Sequence, residues 1–342
     1  MAIGCRIAML SIKITSVSRP LGWFIAFPKE QSMSKMLTIL SLVLSAIFPL
    51  VADARTPWII AHRAGTADYP ENTLLAIRQA LINRADGIWL TVQLSSDQVP
   101  VLYRPQDLST LTQGRGPVSS LTVEQLSQLN AAWSFTSNSD QGREHPYRQY
   151  SRDVAVPTLE QALNAIPPNI PIILDLKALP AESLVHAVAS VIERKKEWGR
   201  VLFYSTEASF QSAWESYPNA RLFEVRDVTR TRLLTVALEQ RCESPPQDRV
   251  WTAFELRRKL DVVEAFTLGE GRSQVVSASL WTPQAISCFR SSNQKVPILW
   301  IGVNSEADYR RAINAGVNAV LVDSPALARL WSNYSACAGL CQ

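Results

Sequence analysis

Two apolar runs of the sequence end in residues that could bind a phosphate and move a proton. His62 and Arg63 follow the run at 58–61, and Asp175 and Lys177 lie at the end of a later run. Histidine exchanges protons near neutral pH, while the arginine fork and the lysine ammonium group suit phosphate oxygens. Because the chain has only three histidines among 342 residues, His62 is the main candidate for proton transfer. A structural histidine with a satisfied hydrogen bond is the alternative.

The elements that must position these residues are short apolar runs alternating with amphipathic helical patterns. This alternation predicts parallel strands covered by helices, and about 250 residues is the usual size of an eight-stranded barrel of this kind. We therefore expect an α/β fold, a (β/α)8 TIM barrel over residues 55–342, with a long loop at 134–154. A doubly wound open sheet competes, but no glycine-rich phosphate turn follows any run. The runs lie at 58–61, 87–94, 99–103, 172–176, 201–204, 222–225, 274–278, 298–303 and 319–322, and the helical patterns include 73–83, 181–198, 306–315 and 325–331.

Residues 1–54 are predicted to lie outside the fold as a leader. The run at 37–51 is apolar, follows Lys35 and precedes an Ala-Asp-Ala at 52–54 that has the form of a signal peptidase site. We expect a signal peptide at 33–54, a start codon assigned too early upstream of it, and a periplasmic or secreted protein with no stable membrane span after cleavage. An uncleaved anchor is the alternative, although the run is shorter than the roughly 20 apolar residues of a comfortable span.

Composition and charge describe a globular protein that does not bind nucleic acid. The chain is 47% hydrophobic and 19% charged, and its formal net charge of +4 nearly disappears without residues 1–54, which hold five basic and two acidic residues. There is no cluster of basic residues of the kind that nucleic acid requires. The even number of cysteines left suits an oxidising, exported compartment. Their pairing stays open, as does the alternative that they are free buried thiols: Cys242, Cys288, Cys337 and Cys341.

The first run and its loop carry a recognisable motif. Residues 60–65 read Ile-Ala-His-Arg-Ala-Gly and residues 70–73 read Pro-Glu-Asn-Thr. This pattern resembles the glycerophosphodiester phosphodiesterase family, whose first strand ends in His-Arg-Gly and whose first helix opens with Pro-Glu-Asn-Thr. Further similar motifs follow in the family's order over nearly the whole chain after the leader, at 84–88, 156–160, 174–177, 316–320 and 323–325. The resemblance implies a TIM barrel with phosphoric diester hydrolase activity.

The resemblance also implies a metal site that this sequence has largely lost. The family holds a divalent cation with a Glu-x-Asp pair on the second strand and a Glu on a later one, and two histidines exchange the protons. Here Trp89 and Thr91 take the places of the pair, Arg104 that of the second histidine, and Asp175 is the one remaining ligand position. Because Ca²⁺ takes about 6–8 oxygen ligands, we expect no cofactor. Ca²⁺ or Mg²⁺ would be used only if the family mechanism survives.

The resemblance thus implies a cationic mouth around one carboxylate. His62, Arg63 and Arg104 are the predicted catalytic residues, and Arg63 and Arg104 would bind the substrate phosphate together with Lys177. We expect an exported phosphodiester hydrolase of glycerophosphodiester or phospholipid metabolism, acting on a small glycerophosphodiester or lipid headgroup. With one histidine, its activity would be weak, lower by about 10²–10⁴, or metal-independent. One alternative is a pseudoenzyme that binds phosphodiester or phospholipid headgroups in the periplasm, and another is a degenerate barrel that binds an envelope partner.

The predicted pocket contains residues for which a purely structural role is also open. Glu71 and the adjacent Asn72 lie at a helix start, where they can cap backbone N–H groups or accept from Arg63. Trp89 would either pack in the core or wall the pocket. The full predicted lining is Glu71, Trp89, Thr91, Asp175 and Trp300.

Trp300 and His145 are weaker candidates. Trp300 matches the family's Trp-x-Val-Asn only partly, because one extra residue separates it from Val303. Of the remaining histidines, His145 could reach the mouth with the long loop, whereas His186 falls on a helical pattern and has no predicted role.

Overall fold

The computed structural model describes residues 56–136, 151–290 and 295–339, with side chains to residue 333. These residues belong to one compact unit, Asp53–Gln342. The predicted leader at 1–54 and most of the predicted long loop, including His145, lie outside the described residues. The last residues of that loop are described and form a 3₁₀ turn at Arg152–Val154.

The chain alternates strands and helices as the sequence pattern predicts. The strands are β1 Trp58–His62, β2 Gly87–Leu94, β3 Pro100–Leu102, β4 Ile172–Leu176, β5 Val201–Tyr204, β6 Thr252–Glu255, β7 Arg258–Phe266, β8 Gly269–Ala278, β9 Ile298–Ile301 and β10 Ala319–Val322. The helices are α1 Leu74–Ile82, α2 Val123–Ser127, α3 Leu159–Ala165, α4 Ala181–Lys195, α5 Ser209–Trp214, α6 Arg226–Glu239, α7 Pro283–Phe289, α8 Glu306–Ala315 and α9 Pro325–Gly339.

The parallel strands form the predicted TIM-type barrel. Their order is β5-β4-β2-β1-β10-β9-β6, and β3 pairs antiparallel with β2 outside this ring. Residues 222–223 close the ring, because Leu222 bridges to Phe203 of β5 and Phe223 bridges to Trp251 beside β6. The strand carboxyl ends therefore meet at one mouth, which is where barrels of this type carry their sites.

Strand periodicity separates the two faces of β2. Ile88, Leu90 and Val92 pack with the helices on the outside of the barrel. Trp89 packs with the inner cluster, which also holds Ile173 and Tyr204. Because successive side chains of a strand alternate, Thr91 and Gln93 follow Trp89 on the inner face and climb towards the mouth.

One predicted barrel strand belongs elsewhere. The run at 274–278 lies in β8, which pairs antiparallel with β7 in a two-stranded hairpin separate from the barrel sheet. The hairpin is exposed along nearly its whole length, and Leu268 at its tip is 99% exposed. The run is rich in β-forming residues, and the prediction that it forms a strand is confirmed. The prediction that this strand belongs to the barrel is wrong, because its residues are exposed and pair only within the hairpin.

Two of the four cysteines form a disulfide. Cys242, after α6, bonds to Cys288 in α7 and ties two helices of the outer layer together. Cys341 and the side chain of Cys337 lie outside the described part of the chain. Within residues 56–136, 151–290 and 295–339, none of the helices combines the length and apolar character that crossing a membrane requires.

Candidate active site

The predicted proton carrier lies at the mouth in contact with a carboxylate. His62 ends β1, and its Nδ1 lies 2.7 Å from Oδ1 of Asp323, just after β10. Burial favours the neutral acid, but the hydrogen bond and charge of His62 and a bond from Asn304 outweigh it, so the pKa of Asp323 is lowered. An ionised carboxylate only accepts hydrogen bonds, so His62 donates through Nδ1. Its Nε2 is thereby left to take or give a proton.

Asn304 completes this arrangement from the loop after β9. Its Nδ2 donates to Oδ2 of Asp323 at 2.5 Å, and its Oδ1 accepts from the backbone N–H of Asp323 at 2.8 Å. The carboxylate is therefore fixed on both oxygens, and it holds the imidazole of His62 in one tautomer and one orientation.

Arg63 is held in the turn that follows β1. Its Nη1 donates to Oε2 of Glu71 at 2.7 Å, and Thr66 Oγ1 donates to the same oxygen at 3.1 Å. The turn is tight: Arg63 and Ala64 have φ values of 47° and 67°, in the left-handed region that non-glycine residues seldom adopt. Backbone strain of this kind is concentrated at functional sites. Nε of Arg63 and Oε1 of Glu71 are buried and have no hydrogen-bond partner in the described part of the chain.

The residues at the start of α1 each have a structural contact, and the sequence left open whether Asn72 or Thr73 caps the helix. Thr73 is the N-cap and accepts from the N–H of Ala76 at 3.1 Å. Asn72 instead accepts from the N–H of Thr91 at 3.0 Å and so links this loop to β2. Glu71 accepts from Arg63, which was one of the two structural roles predicted for it.

Asp175 and Lys177 follow each other on the inner face at the end of β4. Lys177 Nζ lies 3.1 Å from Oδ1 of Asp175 and donates to Thr206 Oγ1 at 3.1 Å. Burial raises the pKa of Asp175, and the charges of Lys177, His62 and Arg63 offset only part of that effect. The side chains of Lys177, His62 and Arg63 therefore all lie close enough to act on one buried carboxylate.

The two residues at the metal-pair positions lie beneath this cluster. Thr91 is adjacent to Asp175 in the strand register, is fully buried, and its Oγ1 has no partner among the described residues. Trp89 is 2% exposed and packs against Tyr204 and Phe223 at centroid distances of 4.8 and 6.2 Å. Of the two roles open for Trp89, the structure favours the core: its ring fills the barrel below the mouth.

Two predicted site residues remain, Arg104 and Trp300. Arg104 follows β3 and is exposed. The carbonyl oxygens of Tyr103 and Pro105, on either side of it, accept from Gln93 on the inner face of β2, and its role in the site stays a prediction. Trp300 is fully buried in the outer cluster and packs against Trp281 at 6.2 Å. Its neighbours on β9, Leu299 and Ile301, face the barrel interior instead. The prediction that Trp300 lines the pocket is wrong, because strand alternation turns its side chain towards the helices.

Two side chains at the mouth, those of Asp323 and Arg226, were not predicted from the sequence as site residues. Asp323 lies in a stretch that matches the family, at 323–325, and the pairing of β10 with β1 brings it beside His62. Arg226 begins α6 and donates to both carboxylate oxygens of Glu255, at 2.7 and 2.8 Å. It also interacts with Tyr204, and burial raises the pKa of that tyrosine. A position directly after a predicted strand is the signal that could have found these residues.

The donor set of the mouth does not fit a divalent cation. In the described ranges, no group of three or more His, Cys, Asp or Glu residues is arranged to hold a metal ion. Glu71 is engaged by Arg63, and Asp175 faces Lys177. Glu224 receives Arg232 through two hydrogen bonds of 2.6 and 2.9 Å and a third from Thr229. Ca²⁺ and Mg²⁺ need several oxygen ligands around one point, and the carboxylates here are already paired with cations.

Comparisons with known proteins agree with the fold. The family model of the glycerophosphoryl diester phosphodiesterase family matches residues 62–327. The chain thus belongs to the glycerophosphoryl diester phosphodiesterase family. It is 50% identical to the uncharacterised protein Rv2277c of Mycobacterium tuberculosis over 275 residues, which are 80% of this chain and 89% of that protein.

Solved structures give the same picture. The glycerophosphoryl diester phosphodiesterase domain of Rv2277c superposes with a TM-score of 0.75 at 49% identity, covering 81% of this chain and 99% of that one. A phosphodiesterase of Oleispira antarctica, solved with its product sn-glycerol-3-phosphate, shares the fold with a TM-score of 0.58 at 19% identity, over 81% of this chain and 97% of that one. Family membership supports a phosphoric diester hydrolase type of activity on small glycerophosphodiesters.

Proposed function

We propose that this protein is an exported phosphodiesterase that hydrolyses small glycerophosphodiesters slowly and without a divalent cation. The observation that carries the proposal is the pairing of His62 with Asp323 beside the cations Arg63 and Lys177. A proton carrier held in one tautomer next to phosphate-binding cations is the minimum that such hydrolysis needs.

The phosphate would be held by Arg63 and Lys177. Arg63 Nε is a buried donor without a partner in the described residues, and it lies in the same turn as the proton carrier. The ammonium group of Lys177 has three N–H donors. It donates one to Thr206 and faces Asp175 in an ion pair, so a donor remains for a phosphate oxygen. Both groups would stabilise the charge that develops on the phosphoryl oxygens in the transition state.

His62 would move the proton. Water attacks phosphorus while His62 Nε2 takes its proton, the bond from phosphorus to the alcohol oxygen breaks, and the same proton passes to the departing alkoxide. Asp323 stabilises the imidazolium that exists in between. A single histidine has to serve both halves of this transfer, and the missing second carrier supports a slow reaction.

Two features support the finer parts of the proposal. The carboxylates of the mouth are paired with cations, which supports hydrolysis without a metal. The Cys242–Cys288 disulfide supports export to the periplasm or to the outside of the cell, because such bonds persist in oxidising compartments.

The test is an assay of glycerol 3-phosphate release from glycerophosphodiesters, with EDTA and with added Ca²⁺ or Mg²⁺. We expect the same slow turnover in all conditions, and a loss of at least about 100-fold in His62→Ala. Turnover that EDTA abolishes and Mg²⁺ restores would contradict hydrolysis without a metal.

A binding protein for phosphodiester headgroups is the second candidate. Trp89 and Thr91 at the metal-pair positions favour it, because neither side chain can replace a carboxylate ligand. Calorimetric binding of glycerol 3-phosphate that Lys177→Ala weakens, together with no turnover in any condition, would establish this candidate in place of the enzyme.

A further inference from the structure

A polar pocket opens beside the phosphate-binding cation. It has a volume of about 370 Å³ and lies between the ends of β2 and β4 and the segment that follows β3. Lys177 and Gln93 both line it, and they follow the paired residues Leu176 and Val92 of the neighbouring strands β4 and β2. Ligand pockets in proteins have volumes of about 300–1,000 Å³, so this space suits a small molecule attached to a phosphate at Lys177.

The lining is made of hydroxyl and amide groups. Besides Gln93 and Lys177, its polar residues are Ser95, Ser96, Gln98, Gln106, Ser119 and Ser183. Among the residues that the structure describes, the lining contains no carboxylate and no aromatic ring, and Lys177 supplies its one charge. Hydroxyls and amides both donate and accept hydrogen bonds, which is the chemistry that recognises neutral hydroxyl groups.

Gln93 is fixed with its acceptor available to a ligand. Its Nε2 donates to the carbonyl oxygens of Tyr103 and Pro105, at 3.0 and 2.8 Å. Both partners are acceptors, so the amide nitrogen must face them, and both of its N–H groups are used. The carbonyl oxygen of Gln93 is then the group that can accept from a ligand.

Two carboxylates contact residues of this lining from outside it. Asp97 accepts from Ser95 Oγ at 2.6 Å and from the N–H of Val123 at 2.9 Å, and these bonds hold the β2–β3 turn against the start of α2. Asp175 lies 3.1 Å from Nζ of Lys177, whose charge it faces. Among the described residues, the lining itself therefore supplies no carboxylate for a positively charged ligand.

We propose that this pocket binds the alcohol half of the substrate and selects a neutral polyol, such as glycerol or a cyclitol, over a cationic amino alcohol. The inference rests on the proposed function, because Lys177 would hold the phosphate that joins the two halves. A quaternary ammonium group needs an aromatic cage or a carboxylate. Here it would meet hydroxyls and the positive charge of Lys177.

The test measures binding by calorimetry in EDTA with the full chain, using His62→Ala to prevent turnover. The probes are glycerophosphoglycerol, glycerophosphoinositol, glycerophosphocholine and glycerol 3-phosphate. We expect at least one of the two polyol esters to bind at least about tenfold more tightly than the choline ester. Equal affinities, or tighter binding of the choline ester, would overturn the inference while leaving the proposed function in place.

Pocket variants separate this selection from phosphate binding. The double variant Gln106→Ala/Ser119→Ala alters two exposed side chains and should bring the ratio of affinities close to one without changing the affinity for glycerol 3-phosphate. Ser183→Asp should raise the affinity for the choline ester several-fold. Ser190→Ala, two turns further along α4, is the control and should change neither the ratio of affinities nor the affinity for glycerol 3-phosphate. A ratio that the double variant leaves intact would contradict the pocket's role. If no probe binds, glycerol 3-phosphate included, the proposed function fails and the inference fails with it.

Discussion

His62 Nδ1 and Asp323 Oδ1 lie 2.7 Å apart although 261 residues separate them in the sequence. The closure of the barrel explains the contact, because the first and last strands are parallel neighbours with Ala61 opposite Val322. The residues that follow these positions reach the mouth together. Proton transfer at this site therefore depends on a contact that exists only when the two ends of the barrel have joined.

The first prediction concerns this pair. His62→Ala should lower kcat for glycerophosphodiester hydrolysis by about 10²–10⁴. Asp323→Asn should lower it less, because the imidazole remains but loses the charge that stabilises its protonated form. His186→Ala is the matched control: His186 is exposed on α4 and contacts Tyr217, and its loss should leave kcat unchanged. A control variant as inactive as His62→Ala would contradict the assignment.

A second prediction follows from the lowered pKa of Asp323. In the unfolded chain its pKa returns to about 3.9, so the folded protein holds the ionised form more strongly. This contribution to the free energy of unfolding is complete above about pH 3.9 and is lost as the pH falls through the folded-state value. Asp323→Asn should therefore reduce the loss of stability between about pH 4 and pH 2, measured by urea unfolding at a series of pH values. An unchanged pH dependence would contradict it.

Asp175 leads to a third prediction with the opposite sign. Burial raises its pKa above the unfolded value, so its contribution to stability is present below the unfolded pKa and is lost as the pH rises through the folded one. Above the unfolded pKa, burial of this carboxyl group disfavours the folded state, and Asp175→Asn removes that cost at pH 7. We expect a rise in Tm of about 2–4 °C, corresponding to about 1 kcal/mol, that disappears when both proteins are unfolded near pH 3. A lower Tm of the variant at pH 7 would show that the contact with Lys177 outweighs the burial.

The fourth prediction concerns the ion pair of Arg63 and Glu71. A double-mutant cycle of Arg63→Gln and Glu71→Gln should give a coupling free energy of about 0.5–3 kcal/mol in urea unfolding, because both side chains are mostly buried. The surface pair Arg310–Glu306 on α8 is the control and should couple by about 0.3–0.5 kcal/mol. Equal coupling in the two cycles would mean that the site pair is no more than a surface salt bridge.

The disulfide provides a fifth prediction. Cys242 and Cys288 are 46 residues apart, and replacing both by serine should lower the free energy of unfolding by about 2–4 kcal/mol. The fall should match the effect of dithiothreitol on the wild type, while dithiothreitol should leave the variant unchanged. A variant as stable as the oxidised wild type would contradict a stabilising role for the bond.

The sequence predicted the barrel correctly, and it placed several candidate residues at the strand ends where the structure has them, for physical reasons. Ordered motifs and strand–helix alternation report the fold directly, and the i, i+2 spacing of Asp175 and Lys177 places both on one face of β4. The sequence did not predict the position of a side chain where that position depends on how all the strands pack in the complete barrel. Trp300 turns outward because the alternation of side chains along β9 directs it towards the helices.

Two elements show the same limit at the level of the fold. The apolar run at 274–278 indicates a strand equally well in a barrel and in the exposed β7–β8 hairpin, since local pattern does not specify the pairing partner. Residues 222–225 were predicted as a strand, yet the ring uses only the bridges of Leu222 and Phe223 there. The contact of Asp323 with His62 could not be predicted either, because it depends on the pairing of β10 with β1.

Trp89 connects the packing of the barrel interior to the place where the sheet closes. Its ring contacts Tyr204 and Phe223, and Phe223 lies where two single bridges join the ends of the barrel sheet. A glutamate at this position would place a carboxylate among aromatic rings and remove packing from that junction. Introducing a metal ligand here would thus require compensating changes in the surrounding aromatic residues, so the composition of the mouth and the closure of the barrel are not independent of each other.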